Sequence, residues 1–222
     1  MNPVLVEVSS VVVANAHNPS ILNHDWLLAN NVLPELPGGW EFAEPPFATP
    51  PLSSIQYQNN VRIVLDSSRL VITAQTLGGN VVVNPDGVVS RLATSYVSIL
   101  EHIPYVAVGS NFKAFIECED AQRRLVETFG GTGRWTDGLE SLSIKLNHRL
   151  GKACERRLEL APSMAQKFER NESKSINAVL LSANYHRNTP SKDDALNAIS
   201  ETCSDLRDFE EFATYFDKDI NV

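Results

Sequence analysis

A strand followed by a short helix occurs twice in the chain, and this repetition constrains the fold more than any other feature. Residues 4–13 form a nearly continuous β-branched apolar run, typical of a strand, and a helix is predicted over residues 19–29. Residues 105–116 have the pattern of a second strand, and a second short helix is predicted over residues 120–129. We therefore predict that residue 105 begins a second copy of the structural unit with which the chain opens.

The first predicted unit, residues 1–103, continues with short strands and ends in a helix. Two-residue hairpin loops are expected at Asn59-Asn60 and at Ser67-Ser68, because asparagine tolerates positive φ and serine is common in turns. Strands are predicted over residues 54–58, 61–66, 70–76 and 81–83, with turns at 78–79 and 84–87 and a helix over 88–102.

The second predicted unit, residues 104–222, has the same order of elements with longer strands. The last helix is expected to begin at Ser191, which can cap it, and to run for about 28 residues. Its apolar residues form one broad stripe, so this acidic helix is expected to pack on a core. Strands are predicted over 139–150, 154–161 and 176–187, with a glycine turn at 130–133 and a polar loop containing a helical piece at 163–175.

This repeated order of a strand, a helix, several antiparallel strands and a long helix resembles the tandem repeat of TATA-binding-protein-like folds, also called helix-grip repeats. The resemblance covers nearly the whole chain as an order of elements. It implies an α+β fold in which two βαββ(β)βα repeats form one curved antiparallel sheet, joined through their first strands, with the helices on one face. DNA-binding saddles of this kind are typically basic, whereas this chain has a formal net charge of −8, so nucleic-acid binding is not favoured.

A proline-dense segment, residues 34–51, interrupts the first unit. It contains six of the twelve prolines, which exclude a helix and a central strand. We interpret it as a long ordered loop with an edge strand over 40–43. The alternative to a binding role is that its aromatic residues hold the loop over an otherwise exposed sheet. The aromatic residues that are candidates for binding a partner are Trp40, Phe42 and Phe47.

The most concentrated polar group lies on the predicted strands of the second unit. If those strands are neighbours, its side chains fall on one sheet face and form a surface for an anionic ligand or an acidic partner. The alternatives are a solvated sheet face and pairing with the acidic C-terminal helix of another molecule. The candidate binding residues are His148, Arg149, Arg157, Tyr185, His186 and Arg187.

The sequence contains no complete catalytic or metal-binding motif. Cys118, Cys154 and Cys203 are widely spaced, which argues against a disulfide framework and against a cysteine metal pair. His17 and His24 lie near a predicted helix start and define no ligand geometry. We therefore expect no catalytic residue, no metal and no cofactor.

Charge is unevenly distributed along the chain. Residues 143–170 are rich in lysine and arginine, whereas residues 193–219 are strongly acidic. A basic sheet beside an acidic helix can compensate internally. The basic strip over 145–157 leaves weak nucleic-acid binding as an alternative.

We expect a non-enzymatic protein-binding or assembly protein that uses a curved sheet and the aromatic proline-rich loop. The first alternative is a binding protein for an anionic small ligand or nucleotide on the second sheet. The expected partner is a protein, which leaves assembly into a homo-oligomer open. No apolar run reaches the roughly 18 residues that span a bilayer, and the first residues show no basic signal-peptide region. We therefore expect no membrane partner and a cytoplasmic location.

Overall fold

The computed structural model describes residues 3–36, 39–76, 87–131, 134, 137–169 and 172–220. Within these ranges the fold is mixed α and β, with one large antiparallel sheet and a few helices, as predicted. No helix in this part of the chain is long and apolar enough to cross a lipid bilayer. The predicted strand over 81–83, the turns at 78–79 and 84–86, and residues 132–133 of the glycine turn lie outside the described residues.

Nine strands, five α-helices and one short 3₁₀ turn make up the described part of the chain. The strands are β1 (Val4–Ala14), β2 (Phe47–Thr49), β3 (Leu52–Gln56), β4 (Val61–Asp66), β5 (Arg69–Gln75), β6 (Tyr105–Glu117), β7 (Ile144–Leu150), β8 (Cys154–Glu169) and β9 (Glu172–Asn188). The helices are α1 (His24–Ala29), α2 (Val88–Ile99), α3 (Ala121–Phe129), α4 (Lys192–Ser200) and α5 (Thr202–Ile220), and the 3₁₀ turn is Pro19–Ile21.

Strands β1 and β6 lie side by side near the centre of the sheet. The order across the sheet is β2-β3-β4-β5-β1-β6-β9-β8-β7, and neighbouring strands are antiparallel. Val8 pairs with Phe112, and Val12 pairs with Val108. The predicted pairing of the two first strands is therefore confirmed, whereas the duplication of the unit stays a prediction.

The helix predicted over 19–29 is divided in the structure. It consists of the 3₁₀ turn followed by α1, because two asparagines each cap a separate start. The Asn18 side chain accepts a hydrogen bond from the backbone N–H of Ser20, and Asn23 accepts one from that of Trp26. The prediction of one continuous helix is therefore wrong here.

The long helix predicted from Ser191 is also divided, into α4 and α5. Ser191 caps α4 as predicted, but α4 ends at Ser200 and α5 begins at Thr202. The buried Thr202 hydroxyl donates to the carbonyl of Ile199 at 2.7 Å and lies 3.1 Å from the Ser110 hydroxyl of β6. This polar contact ties the junction of the two helices to the middle of the sheet.

The hairpin of β8 and β9 is longer than the sequence predicts. The prediction of a loop with a helical piece at 163–175 is wrong, because β8 runs to Glu169 and β9 starts at Glu172. The two strands pair along their whole length, and this backbone ladder outweighs the polar composition that suggested a loop. By contrast, the strand predicted over residues 139–150 begins later than expected, because β7 starts at Ile144.

The connection between β4 and β5 follows the prediction. Ser67 and Ser68 join the two strands, and the Asp66 carboxylate accepts hydrogen bonds from the backbone N–H groups of Ser68 and Arg69. In the connection from β3 to β4, Asn60 has a φ of 63°, a conformation that asparagine tolerates. Local turn chemistry therefore sets these two hairpins.

The two faces of the sheet differ in burial. On one face, Val8, Val12 and Phe112 are fully buried in a core shared with the helices. The Phe112 ring packs on Phe209 of α5, with ring centres 5.6 Å apart, and edge-on against Tyr185 of β9 at 5.7 Å. We call this the helix face. The opposite face carries the alternate residues of each strand, most of them partly exposed, and we call it the open face.

His17 is buried in the helix-side core, where it contacts α2. Its Nε2 lies 3.2 Å from the carbonyl oxygen of Val12, and its Nδ1 lies 3.0 Å from the hydroxyl of Tyr96. A neutral ring satisfies both contacts, because Nε2–H donates to the carbonyl and Nδ1 accepts from the hydroxyl. Burial lowers the pKa of His17, although the Val12 carbonyl and the charge of Asp66 act in the opposite direction.

We expect the free energy of unfolding to fall as the pH drops below about 6.5, the ordinary pKa of histidine. The unfolded chain takes up a proton there that the folded chain resists, because the pKa of His17 is lower in the folded state. Urea unfolding at about pH 7 and about pH 5 checks this, and the wild type should lose more stability than His17→Gln. An equal loss in the two proteins would contradict the expectation.

Candidate functional site

Two of the predicted binding residues, Tyr185 and Arg187, lie on the helix face and contact α5. Arg187 donates two hydrogen bonds, each 2.6 Å long, to the carboxylate of Asp205. The Tyr185 hydroxyl donates to Asp208 Oδ2 at 2.6 Å, and Arg156 donates to the same oxygen at 2.6 Å. The basic sheet and the acidic helix therefore compensate each other at this contact, as the distribution of charge along the sequence allows.

Burial controls the ionisation of these groups. It raises the pKa of the Tyr185 hydroxyl, and the bond to Asp208 raises it further, so the hydroxyl stays protonated. Burial alone would lower the pKa of Arg187, but the hydrogen bonds and charge of Asp205 raise it above its ordinary value. Burial raises the pKa of the Asp205 carboxyl, and Arg187 opposes that shift. These side chains bind one another and hold α5 on the sheet.

The six predicted residues of the second unit do not form one surface. Arg149, Arg157 and His186 lie on the open face, whereas His148 pairs with Arg156 on the helix face. Successive residues of a strand point to opposite faces, so neighbouring members of the group are separated. The prediction that they share one sheet face is therefore wrong, and a binding role for those on the open face stays a prediction.

The aromatic residues of the proline-dense segment also have two different surroundings. Trp40 Nε1 donates to the carbonyl of Pro34 at 2.8 Å, and the Trp40 ring packs edge-on against the buried Tyr57 at 4.8 Å. Phe42 stacks on the same tyrosine with an interplanar angle of 14°. Phe47, by contrast, is 53% exposed and lies in β2 on the open face. Trp40 and Phe42 thus both contact the buried Tyr57, while Phe42, at 38% exposure, and Phe47 are available at the surface.

The edge strand of this half lies later in the segment than predicted. Residues 40–43 contribute one isolated bridge, between Phe42 and Tyr57, whereas β2 forms the edge and pairs with β3. Prolines on both sides, Pro46 and Pro50, limit β2 to a short strand because proline cannot donate to the ladder.

The open face carries a row of polar side chains that crosses eight neighbouring strands. The pairing registers place one residue of each strand, from β3 at one end to β7 at the other, in this row. An arginine stands second from each end, Arg62 in β4 and Arg157 in β8. We call this set the polar row, and its members in sheet order are Gln56, Arg62, Thr73, Ser9, Asn111, Asn184, Arg157 and Asn147.

Side-chain hydrogen bonds hold the middle of the polar row. Asn184 Nδ2 donates to Asn111 Oδ1 at 2.7 Å, and Asn111 Nδ2 donates to Ser9 Oγ at 3.2 Å. An amide has two donors and an acceptor, and a hydroxyl has one donor of its own. The side-chain oxygen of Asn184, which is partly exposed, therefore keeps bonding capacity for a ligand.

Different side chains flank the polar row on its two sides. On one side the charges are paired, since Lys113 Nζ lies 2.9 Å from Glu7 and Lys145 Nζ lies 3.3 Å from Glu159. On the other side, the neighbouring row of side chains is apolar in the first half of the sheet. It consists of Val64, Val71 and Val11, and we call it the valine row.

A groove of about 650 Å³ lies over the second half of the polar row. Asn111, Asn184, Arg157 and Asn147 line it, together with Ser182 of the neighbouring row. Small-molecule sites are usually enclosed, whereas this groove is an open strip on a sheet, lined by polar, charged and apolar residues. Such a strip can bind an extended polar partner through hydrogen bonds and charge.

Most of the polar row is not predicted from the sequence, since Arg157 is its only member among the predicted site residues. A signal was present at Arg62, which lies between the apolar Val61 and Ile63. A single polar residue in an otherwise apolar strand marks the face that meets solvent or a ligand. The register that aligns these residues across strands is a tertiary property and cannot be read from one strand.

The described side chains do not form a metal centre. In the described ranges, no group of three or more histidine, cysteine, aspartate and glutamate residues could hold a metal ion. Cys154 is buried, and burial raises the pKa of its thiol. A raised pKa disfavours the thiolate, which is the form that attacks substrates and binds metals.

Comparison with known proteins assigns this chain to no family. No protein-family model matches its sequence, and no curated protein matches it. The side chains of the open face are therefore the basis on which a function can be inferred.

Proposed function

We propose that this chain is a non-enzymatic binding protein that holds a protein partner against the open face of its sheet. The observation that carries the proposal is the polar row, whose members are partly or fully exposed apart from Ser9. At about 4.8 Å per strand the row is roughly 34 Å long, which is more than a small molecule covers. A protein partner matches this length, because stable interfaces bury about 800 Å² on each partner.

The proline-dense segment contributes to this surface through Phe47. This residue pairs with Ser54, which in turn pairs with Val64 of the valine row, so Phe47 lies at the margin of the apolar strip. Exposed aromatic side chains are enriched in protein interfaces. Trp40 and Phe42 support the segment from the core side, so we assign the partner surface to the sheet with Phe47 at its edge.

We also infer that residues 1–103 and 104–222 are copies of one unit whose sheets join into a curved saddle. The order of elements supports this, since β1 and β6, the first strands of the two halves, are neighbours near the centre of the sheet. The polar row supports it as well, because similar residues stand at equal distances from the centre. The matching pairs are Ser9 with Asn111, Thr73 with Asn184, Arg62 with Arg157, and Gln56 with Asn147.

A second candidate function is the binding of an anionic small molecule or nucleotide at the outer edge of the second half. The observation that favours it is a depression of about 480 Å³ between β7 and β8. Guanidinium groups there suit a phosphate or carboxylate, although Glu155 opposes an anion. The lining residues are Asn147, His148, Arg149, Glu155, Arg156 and Arg157.

Selection of random displayed peptides against the whole chain tests the proposed function. We expect selected peptides to bind Ser182→Tyr at least about tenfold more weakly than wild type, because a tyrosine there fills the groove. Ser204→Tyr, on the exposed surface of α5, is the matched control and should bind as the wild type does. Circular dichroism of both variants confirms that they are folded.

The selection can also contradict the proposal. Peptides that bind Ser182→Tyr as tightly as wild type, but lose affinity for Ser204→Tyr, would place the interaction on the helices. Competition of every selected peptide by inorganic phosphate would favour the anionic small-molecule site instead.

A further inference from the structure

We propose that the open face binds an extended acidic segment of the partner, which lies across the strands with one carboxylate on Arg62 and another on Arg157. This inference rests on the proposed function and adds the chemistry and direction of the bound segment. It follows from three properties of the polar row: the spacing of its arginines, their available hydrogen-bond donors, and the uncharged side chains between them.

The two arginines are far apart but belong to the same row. Arg62 in β4 and Arg157 in β8 are separated by five strand spacings, about 24 Å at about 4.8 Å per strand. An extended chain advances about 3.3 Å per residue and alternates its side chains, so two acidic side chains about eight residues apart point to the same side and span about 26 Å. A segment that follows the polar row therefore reaches both guanidinium groups.

Both guanidinium groups have donors available for a carboxylate. Arg62 is exposed, and its Nε donates to the Ser54 hydroxyl at 3.2 Å, which leaves its two terminal nitrogens for a ligand. The Arg157 side chain is 63% exposed and lies 3.5 Å from Glu155. A long contact between exposed groups contributes little to stability, so a bound carboxylate can replace Glu155. Arginine holds a carboxylate through two parallel hydrogen bonds.

The row between the arginines is uncharged and suits a peptide backbone. An extended peptide carries unpaired N–H and C=O groups along its length, and short hydroxyl and amide side chains can donate to and accept from them. The Glu7 carboxylate, which lies two residues from Ser9 on β1, is paired with Lys113 at 2.9 Å, so it does not repel an acidic segment as a lone charge. The four side chains between the arginines are Thr73, Ser9, Asn111 and Asn184.

The valine row gives the segment an apolar side. Val11, Val64 and Val71 lie directly beside the polar row and are partly exposed. Apolar side chains of the partner that lean over this row would bury these valines, which favours binding. The segment that fits best is therefore acidic at two positions and apolar on one edge.

The charges of the open face favour a peptide over a nucleic acid. Nucleic-acid affinity grows with the number of phosphates that a protein neutralises, and duplex DNA presents phosphates at close intervals. The polar row offers two cations that stand five strand spacings apart, so it neutralises few phosphates. A peptide with two separated carboxylates needs only the two arginines, so charge complementarity selects it.

Synthetic peptides with two glutamates among threonines and valines test the spacing. We expect the peptide with glutamates about eight residues apart to bind, in fluorescence anisotropy, about tenfold more tightly than one with glutamates about four residues apart. Arg62→Gln and Arg157→Gln should each weaken its binding about tenfold, and the double variant about a hundredfold. Arg207→Gln, on the exposed surface of α5, is the matched control and should leave the affinity unchanged.

Several results would overturn the inference. These are equal affinity for the two spacings, unchanged affinity in the double arginine variant, or no binding of the widely spaced peptide up to about 1 mM. Tighter binding of duplex DNA or of inorganic phosphate would overturn it in favour of those ligands.

The display selection separates this failure from failure of the proposed function. If selected peptides are sensitive to Ser182→Tyr but not to the arginine variants, the partner binds the open face and only the acidic-segment inference fails. If selected peptides ignore both kinds of variant, the proposed function fails as well.

Discussion

Asp205→Ala should lower the free energy of unfolding by roughly 3–5 kcal/mol, because it leaves a buried guanidinium without its counter-charge. The Asp205 side chain is 5% exposed and that of Arg187 is 14% exposed, and two 2.6 Å hydrogen bonds join them. Water cannot replace the lost carboxylate at such a site without partial opening of the contact between α5 and β9. Urea unfolding followed by circular dichroism measures the loss.

Two further variants make this expectation specific. Asp193→Ala, in the exposed first turn of α4, removes the same charge from the surface and should change stability by about 0.5 kcal/mol or less. Replacing both partners, as Arg187→Met with Asp205→Leu, should recover most of the loss because no unpaired charge is left. A loss below about 1 kcal/mol in Asp205→Ala would show that the pair does not hold α5 on the sheet.

Phe112→Ala should cost roughly 3–5 kcal/mol, since it opens a cavity where the sheet meets α5. Phe112 is completely buried, and its ring lies 5.6 Å from that of Phe209 and 5.7 Å from that of Tyr185. The two rings that contact it belong to different elements, α5 and β9, so they cannot close the space by a single local shift. Thermal and urea unfolding measure the effect.

Phe47→Ala is the matched control for Phe112→Ala. Phe47 is 53% exposed at the sheet edge, so its truncation should change stability by about 0.5 kcal/mol or less. Phe112→Leu, which keeps most of the volume, should fall between the two and remains measurable if the alanine variant does not fold. Equal losses in the two alanine variants would mean that the helix face is not the main core.

The strongest elements of the fold are predictable from single segments. The β-branched run that forms β1, the strand that forms β6 and the apolar stripe of α2 each indicate their own structure. The predicted pairing of β1 with β6 is also confirmed. The polar ends of β8 and β9 are not predictable in this way, because each is stabilised by pairing with the other.

The candidate site is less predictable than the fold because it depends on register. A shift of one residue moves a strand's side chains to the opposite face, so His186 and Arg187, adjacent in sequence, serve different surfaces. Arg187 pairs with Asp205 on the helix face, whereas His186 lies on the open face. Composition shows that such residues are concentrated on these strands, but only the pairing shows which of them can meet the same ligand.

The central position of β1 and β6 has a consequence for how the chain reaches its folded state. Val12 and Val108 pair there although about a hundred residues separate them, whereas β3, β4 and β5 are linked by short turns, as are β7 and β8. Closing so long a loop costs more chain entropy than forming a hairpin, and contacts of this kind slow folding. The pairings of β1 with β5 and of β6 with β9 also close long loops, so we expect the hairpins on each side to form early and these central pairings to form late.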